Sequence, residues 1–329
     1  MTIDGQPVPT LDAIQELSAA LEPYVFKTPV LDKNALSDLV DTRLNFKFEL
    51  LQASGTFKAR GAFSNMLALD DAQRRAGVTC VSAGNHAVAV AYAAMKLGID
   101  AKVVMIKTAS PFRVGLCRQY GAEVVMADDG ALAFERVRQI EKDEGRFFVH
   151  PFTGYRTVLG TATLGYEWAR QAPALDAVVL PIGGGGLAAG VATAFKLLQP
   201  ECKVYGVEPE GADGMAQSFR AGQPVKLGPL HGIADSLMTP HTESYSYQLC
   251  RQHIDQLVTV SDDQIRAAML RLFEELKLSP EPACAAASAG LLGPLRGQLE
   301  GKRVGVLLCG TNTDLQTLTR HLDAARAAA

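Results

Sequence analysis

Lys58 stands where an apolar run gives way to Ser54, Gly55 and Thr56 and then to a helical pattern, in FELLQASGTFKARGA (48–62). A lysine at such a turn-to-helix junction is either a solvated helix residue or an amine that attacks a carbonyl. A second segment, VSAGNHAVAVAYAAMKLG (81–98), sets Ser82, Ala83, Gly84, Asn85 and His86 between a strand-like run and an alanine-rich helix. That junction offers free backbone N–H groups and the positive end of a helix dipole to an anion such as a carboxylate. Asn85 is equally placed to do no more than cap the helix. In the third, AVVLPIGGGGLAAG (177–190), four glycines, Gly183 to Gly186, follow a buried strand and open a helix. Glycines permit a nest of N–H groups and close approach by a phosphate. The run also satisfies a dinucleotide fingerprint at Gly183, Gly185 and Ala188, with Glu208 where a ribose-binding acid belongs, so it does not say which phosphate.

The elements that must hold these clusters are short valine-rich runs at 78–82, 102–106, 123–127, 177–182, 203–208 and 304–309. They read as buried parallel strands. Helix-like segments at 85–98, 110–120, 130–144 and 186–198 lie between them, and such alternation implies doubly wound sheets. Length favours two compact units: residues 1–72 with 154–329 as the larger, cofactor-binding one, and 73–153 as a smaller, substrate-side one. The N-terminal residues are given to the larger unit because they lack a complete sheet of their own.

Bulk properties exclude several classes of function. With 48% hydrophobic residues, 20% charged residues and a formal charge of −3, there is no electrostatic footprint for nucleic acid or an anionic membrane. No apolar stretch is long enough to span a bilayer, and the opening MTIDGQPVPT lacks the regions of a secretory signal, so a cytoplasmic location is expected. The six cysteines show no CxxC spacing and sit largely in apolar runs, which points to reduced thiols. Small-molecule chemistry is what remains.

Taken together, the lysine segment, SAGNHA, the glycine run and the terminal LLCGTN resemble the serine/threonine dehydratase family of fold-type II pyridoxal-phosphate enzymes. Further matches are VHPF (149–152), GT (160–161), GVEP (206–209), IAD (233–235) and EPACAAASAG (281–290), in the same order and at similar spacing. The resemblance implies two doubly wound α/β domains with pyridoxal 5'-phosphate in the cleft between them. It gives Lys58 the Schiff base, sets Phe57 beside the cofactor ring, and has Asn85 bond the ring hydroxyl. Gly183, Gly184, Gly185 and Gly186, with Leu187, would hold the phosphate, and Cys309 would face the pyridine nitrogen. The substrate carboxylate would fall to Ser54, Ser82 and the backbone from Ala83 and Gly84 to His86. A thiol is a weak donor and does not keep the pyridine nitrogen protonated as a carboxylate would, so β-elimination is favoured over transamination. Lys58 would remove the Cα proton and the β-hydroxyl would leave, giving an enamine that hydrolyses to a 2-oxo acid and ammonia.

The expected reaction is therefore dehydration of a small β-hydroxy amino acid such as L-threonine or L-serine, with 3-hydroxyaspartate dehydration and racemisation as alternatives. Racemising relatives carry a serine where this chain has Ala83, and a methyl group donates no proton. Some relatives bind a divalent cation. Of that ligand series Glu208 and Ala212 remain here, while Gly214 replaces an acid, which weakens any such site. After HPF the usual acidic residue is replaced by Thr153, and Arg156 follows as a candidate for a second substrate carboxylate or as an ordinary surface arginine. The expected partners are an amino-acid substrate and further copies of the chain, as a homodimer or homotetramer. A nicotinamide-dependent oxidoreductase using Gly183 and Glu208 is the distant rival, and it leaves Lys58 and SAGNHA without roles.

Overall fold

The computed structural model describes residues 1–32, 35–172 and 174–328. Three valine-rich runs form parallel strands Val78–Val81, Ala101–Ile106 and Glu123–Ala127, with Phe147–Phe148 on the far edge of Val78–Val81. The larger sheet has six strands, in the order Gln256–Val260, Lys203–Pro209, Ala177–Pro181, Arg303–Leu308, Arg43–Phe48 and Val30–Asp32. All its neighbours run parallel except the last pair. A parallel sheet with helices on both faces has no solvent side, which is why Ala177–Pro181, Lys203–Pro209 and Arg303–Leu308 read as apolar runs, whereas Arg43–Phe48 buries Asn45 and Lys47 among its apolar residues.

The first 70 residues divide between the two cores. Arg43–Phe48 pairs with Arg303–Leu308 over its whole length and so belongs to the six-stranded sheet. The helices Leu11–Leu21 and Lys58–Leu67 instead bury Ile14, Leu17, Leu21, Phe63 and Met66 against Val78, Cys80 and Val103 of the four-stranded sheet. Every residue from Ala59 to Met66 is buried, so the helix that starts at Lys58 has no solvent face and lies as an internal rod between elements. Helix Tyr155–Gln171 packs on it and on Gly186–Leu198, and its Trp168 makes an edge-on contact with Phe195 at 5.3 Å.

The sites singled out by sequence follow the carboxyl ends of parallel strands: Ser82 after Val78–Val81, Gly183 after Ala177–Pro181 and Cys309 after Arg303–Leu308. Open α/β sheets bind ligands at those ends. No helix among the described residues is long and apolar enough to cross a membrane, and the six cysteines are unpaired and buried.

Candidate functional site

Lys58 is positioned by a zipper between residues 54–57 and 309–312. Phe57 N–H donates to the Cys309 carbonyl at 3.1 Å, Thr311 N–H to the Gly55 carbonyl at 3.0 Å, and Asn312 Nδ2 to the Ser54 carbonyl at 2.9 Å. Gly55 has φ +72°, and a Cβ there would meet Asn312 Oδ1 at 2.4 Å, so the register of the zipper requires glycine. The Lys58 side chain is half-buried, with Nζ donating to the Pro151 carbonyl at 2.5 Å and lying 5.3 Å from the Phe57 ring centre. Desolvation lowers its pKa to about 8, with Cys309 and Glu281 opposing the shift. The Cys309 thiol is pushed up by its hydrogen bond with Cys284 and by burial, and stays neutral. Ser54 adds a strained feature: φ is 64°, and its buried hydroxyl has no partner. A non-glycine residue held in that conformation with an unsatisfied hydroxyl is a mark of a ligand site.

The glycine run is shaped from behind. The carbonyls of Gly184, Gly185 and Gly186 accept from Thr242 Oγ1 at 3.1 Å, Cys250 Sγ at 3.5 Å and Thr161 Oγ1 at 2.8 Å. A trans peptide sets C=O and N–H on opposite sides, so the N–H groups of Gly185, Gly186 and Leu187 turn the other way, at the start of helix Gly186–Leu198. This is a cradle suited to a phosphate. Two of the glycines are also demanded by packing: a Cβ at Gly184 would lie 2.3 Å from the Phe152 ring, and one at Gly186 would lie 2.2 Å from the Phe152 carbonyl.

Asn85 is the first residue of helix Asn85–Leu97 and is 4% exposed. It does not cap that helix. Its Nδ2 donates to Glu281 Oε1 at 2.6 Å and to Ser236 Oγ at 3.3 Å, and its Oδ1 accepts from Asn312 Nδ2 at 2.9 Å. Glu281 in turn receives Arg113 at 3.2 Å, and Arg113 donates to the Asn312 carbonyl at 2.9 Å and to Asp235 at 2.5 Å. One guanidinium from helix Pro111–Gln119 thus reaches across the cleft to three partners on the far side.

Phe57, Lys58, Asn85, Gly183 to Gly186, Leu187 and Cys309 line a single cleft. His86 lines an adjoining recess with Lys58 and His150. Burial and the Lys58 charge hold His86 near pKa 3, and its neutral ring bonds the Val149 carbonyl at 2.8 Å through Nε2. Burial likewise lowers His150 to about 4, and its Nδ1 accepts the N–H groups of Phe152 and Thr153. Ser82, Ala83 and Gly84 are half-buried at the strand end, and Ser82 Oγ receives the Gly84 N–H at 3.1 Å.

Two sequence candidates lie outside the lining of this cleft. Both oxygens of Glu208 accept backbone N–H groups, from Met215 at 2.7 Å and Ala216 at 2.8 Å, and burial raises its pKa to about 8. Glu208 thereby anchors the start of helix Gly214–Ala221. Among the described residues no group of three or more His, Cys, Asp or Glu is arranged to hold a metal. Arg156 is exposed and lies over the Tyr155 ring, so it offers no second-carboxylate site in the cleft. Sequence reasoning gave no role to Glu281, Asn312, Arg113, Asp235 or Phe152. All but Arg113 lie inside quoted matches, EPACAAASAG, CGTN, IAD and VHPF, whereas an arginine early in a helix carries no signal of its own.

The cofactor implied by the resemblance fits these residues: a neutral-range amine, a cradle of N–H groups, a buried amide and a neutral thiol line one cleft. Comparison with known proteins agrees. The family model described as "Pyridoxal-phosphate dependent enzyme" matches residues 21–310. Phenylserine dehydratase of Ralstonia pickettii is 68% identical over 97% of this chain and 98% of its own length. The catabolic L-threonine dehydratase of Escherichia coli K12 is 36% identical over 94% and 95%. The structure of maize serine racemase superposes with a TM-score of 0.91 at 33% identity, covering 98% of this chain and 99% of that one. The chain belongs to the pyridoxal-phosphate-dependent enzymes of the serine/threonine dehydratase family, and is an ammonia-lyase acting on hydroxy amino acids.

Proposed function

We propose that the chain dehydrates a β-hydroxy amino acid with an aryl β-substituent, of the phenylserine type, to the 2-oxo acid and ammonia. The observation that carries this reading is the near full-length 68% identity to a protein named for that substrate. The exposure of Arg156 supports an uncharged β-substituent, since it leaves 3-hydroxyaspartate without an obvious partner. Bound pyridoxal phosphate supplies the electron sink that makes the Cα proton removable. The protein does the rest. With its pKa lowered to about 8, Lys58 provides an amine that both attacks and accepts a proton near neutral pH. The first N–H groups of helix Asn85–Leu97 and the Ser54 hydroxyl suit a carboxylate or phosphate oxygen. Ala83, half-buried beside Gly84, has no proton to return to the opposite face, which favours elimination over racemisation.

The test is a substrate panel. Ammonia and 2-oxo acid release from 3-phenylserine, threonine, serine and 3-hydroxyaspartate should give kcat/KM highest for phenylserine by at least about tenfold, the discrimination that a well-filled apolar pocket provides. Equal or better turnover of threonine or serine would overturn the aryl assignment.

A further inference from the structure

An asparagine amide in a packed site is ambiguous, because its oxygen and nitrogen ends are nearly the same size and only their partners decide which way it faces. At Asn85 the decision can be traced to groups that have no choice. The Ser54 backbone carbonyl can only accept, so Asn312 must turn Nδ2 toward it, at 2.9 Å. The same Nδ2 lies 2.9 Å from Asn85 and therefore meets the oxygen end, Oδ1. On the other side Glu281 Oε1 takes Asn85 Nδ2 at 2.6 Å, while Glu281 Oε2 is held by Arg113 at 3.2 Å. Glu281 is 1% exposed and so cannot exchange these donors for water. The second N–H of Asn85 has only the longer contact to Ser236 Oγ, at 3.3 Å, and is the one left to serve the cleft.

We propose that Glu281 and Asn312 are positioning residues that lock the Asn85 amide with its nitrogen as donor toward the ring hydroxyl of the cofactor. The proposal rests on the reading of Asn85 as the partner of that hydroxyl. In this role each acts through Asn85, although Glu281 also lines the cleft. Glu281 supplies two acceptor oxygens to two donors, one for Asn85 and one for Arg113, and a glutamine of the same shape would supply one.

That arithmetic gives the experiment. In Glu281→Gln the single amide oxygen goes to the charged Arg113, so the glutamine NH2 faces Asn85 and drives its amide to flip. The holoenzyme should bind cofactor about tenfold more weakly, and the visible absorption band of the bound cofactor should move in the direction seen for Asn85→Ala. Adding Arg113→Met frees the glutamine oxygen for Asn85, so the double variant should recover the wild-type band in large part. A purely structural role predicts the reverse, with the double variant worse than the single. Wild-type band and affinity in Glu281→Gln, or no recovery in the double variant, would overturn the proposal provided Asn85→Ala moves the band. If Asn85→Ala leaves the band where it is, the reading of Asn85 fails and the proposal fails with it. Asn312→Ala, read by the same band and by thermal melting of the apoprotein, decides the matter should Glu281→Gln not fold.

Discussion

A lysine in water is almost fully protonated at neutral pH and a poor nucleophile, and Lys58 escapes this through desolvation in the cleft. Below about pH 8 the amine carries its proton, and above it the amine is free. The rate at which the apoprotein captures the cofactor aldehyde should therefore rise through a midpoint near pH 8, followed by stopped-flow absorbance. A midpoint near the ordinary 10.5 would mean a solvated amine. The same shift has a stability sign: between about 8 and 10.5 the unfolded chain holds a proton that the folded chain has released, so the Lys58 contribution to apoprotein stability grows as pH rises across that window. Lys58, Asn85 and Cys309 were visible in the sequence because each sits in a distinctive short motif. Glu281 and Asn312 were not assigned, since their partnerships with Asn85 span 196 and 227 residues and no local pattern records them.

At the scale of elements, the glycine loop shows two demands met by the same residue type. Sequence alone suggested phosphate approach, while the structure adds the Phe152 ring pressed against Gly184. Gly184→Ala should cost the apoprotein about 1–3 kcal/mol in urea unfolding, as overpacking does, and Phe152→Leu should recover part of the loss in the double variant. Unchanged apoprotein stability with weakened cofactor binding would leave phosphate approach as the sole reason for the glycine. Most central strands were legible as apolar runs because they are buried on both faces, but interior Arg43–Phe48 was missed, since the polar Asn45 and Lys47 break its apolar run although both are buried. Gln256–Val260 and Phe147–Phe148 were missed: both are edge strands with half-buried residues, the second only two residues long, so the apolar run that betrays a central strand is absent.

At the scale of the molecule, Arg113 is the buried cation that ties the helices of the four-stranded sheet to Glu281 and Asp235 on the other side. The pair with Glu281 is nearly dry, at 5% and 1% side-chain exposure, whereas Asp235 is 58% exposed. Removing one partner of a buried pair strands the other charge, so Arg113→Met should destabilise the protein by about 3–5 kcal/mol in urea titration, and a loss under about 1 kcal/mol would show that the bridge carries little. Two layered sheets could be read from alternation of strand and helix, but not how the N-terminal segment is shared between them, because that depends on which face each helix finds. The sharing bears on how such enzymes diversify. The chain leaves the large sheet at Phe48 and enters the other core at Lys58, so the amine sits at the crossing from one core to the other. Neither half is a cassette that a gene fusion could lift out intact, because the cut would fall within the stretch that carries the amine from one core to the other.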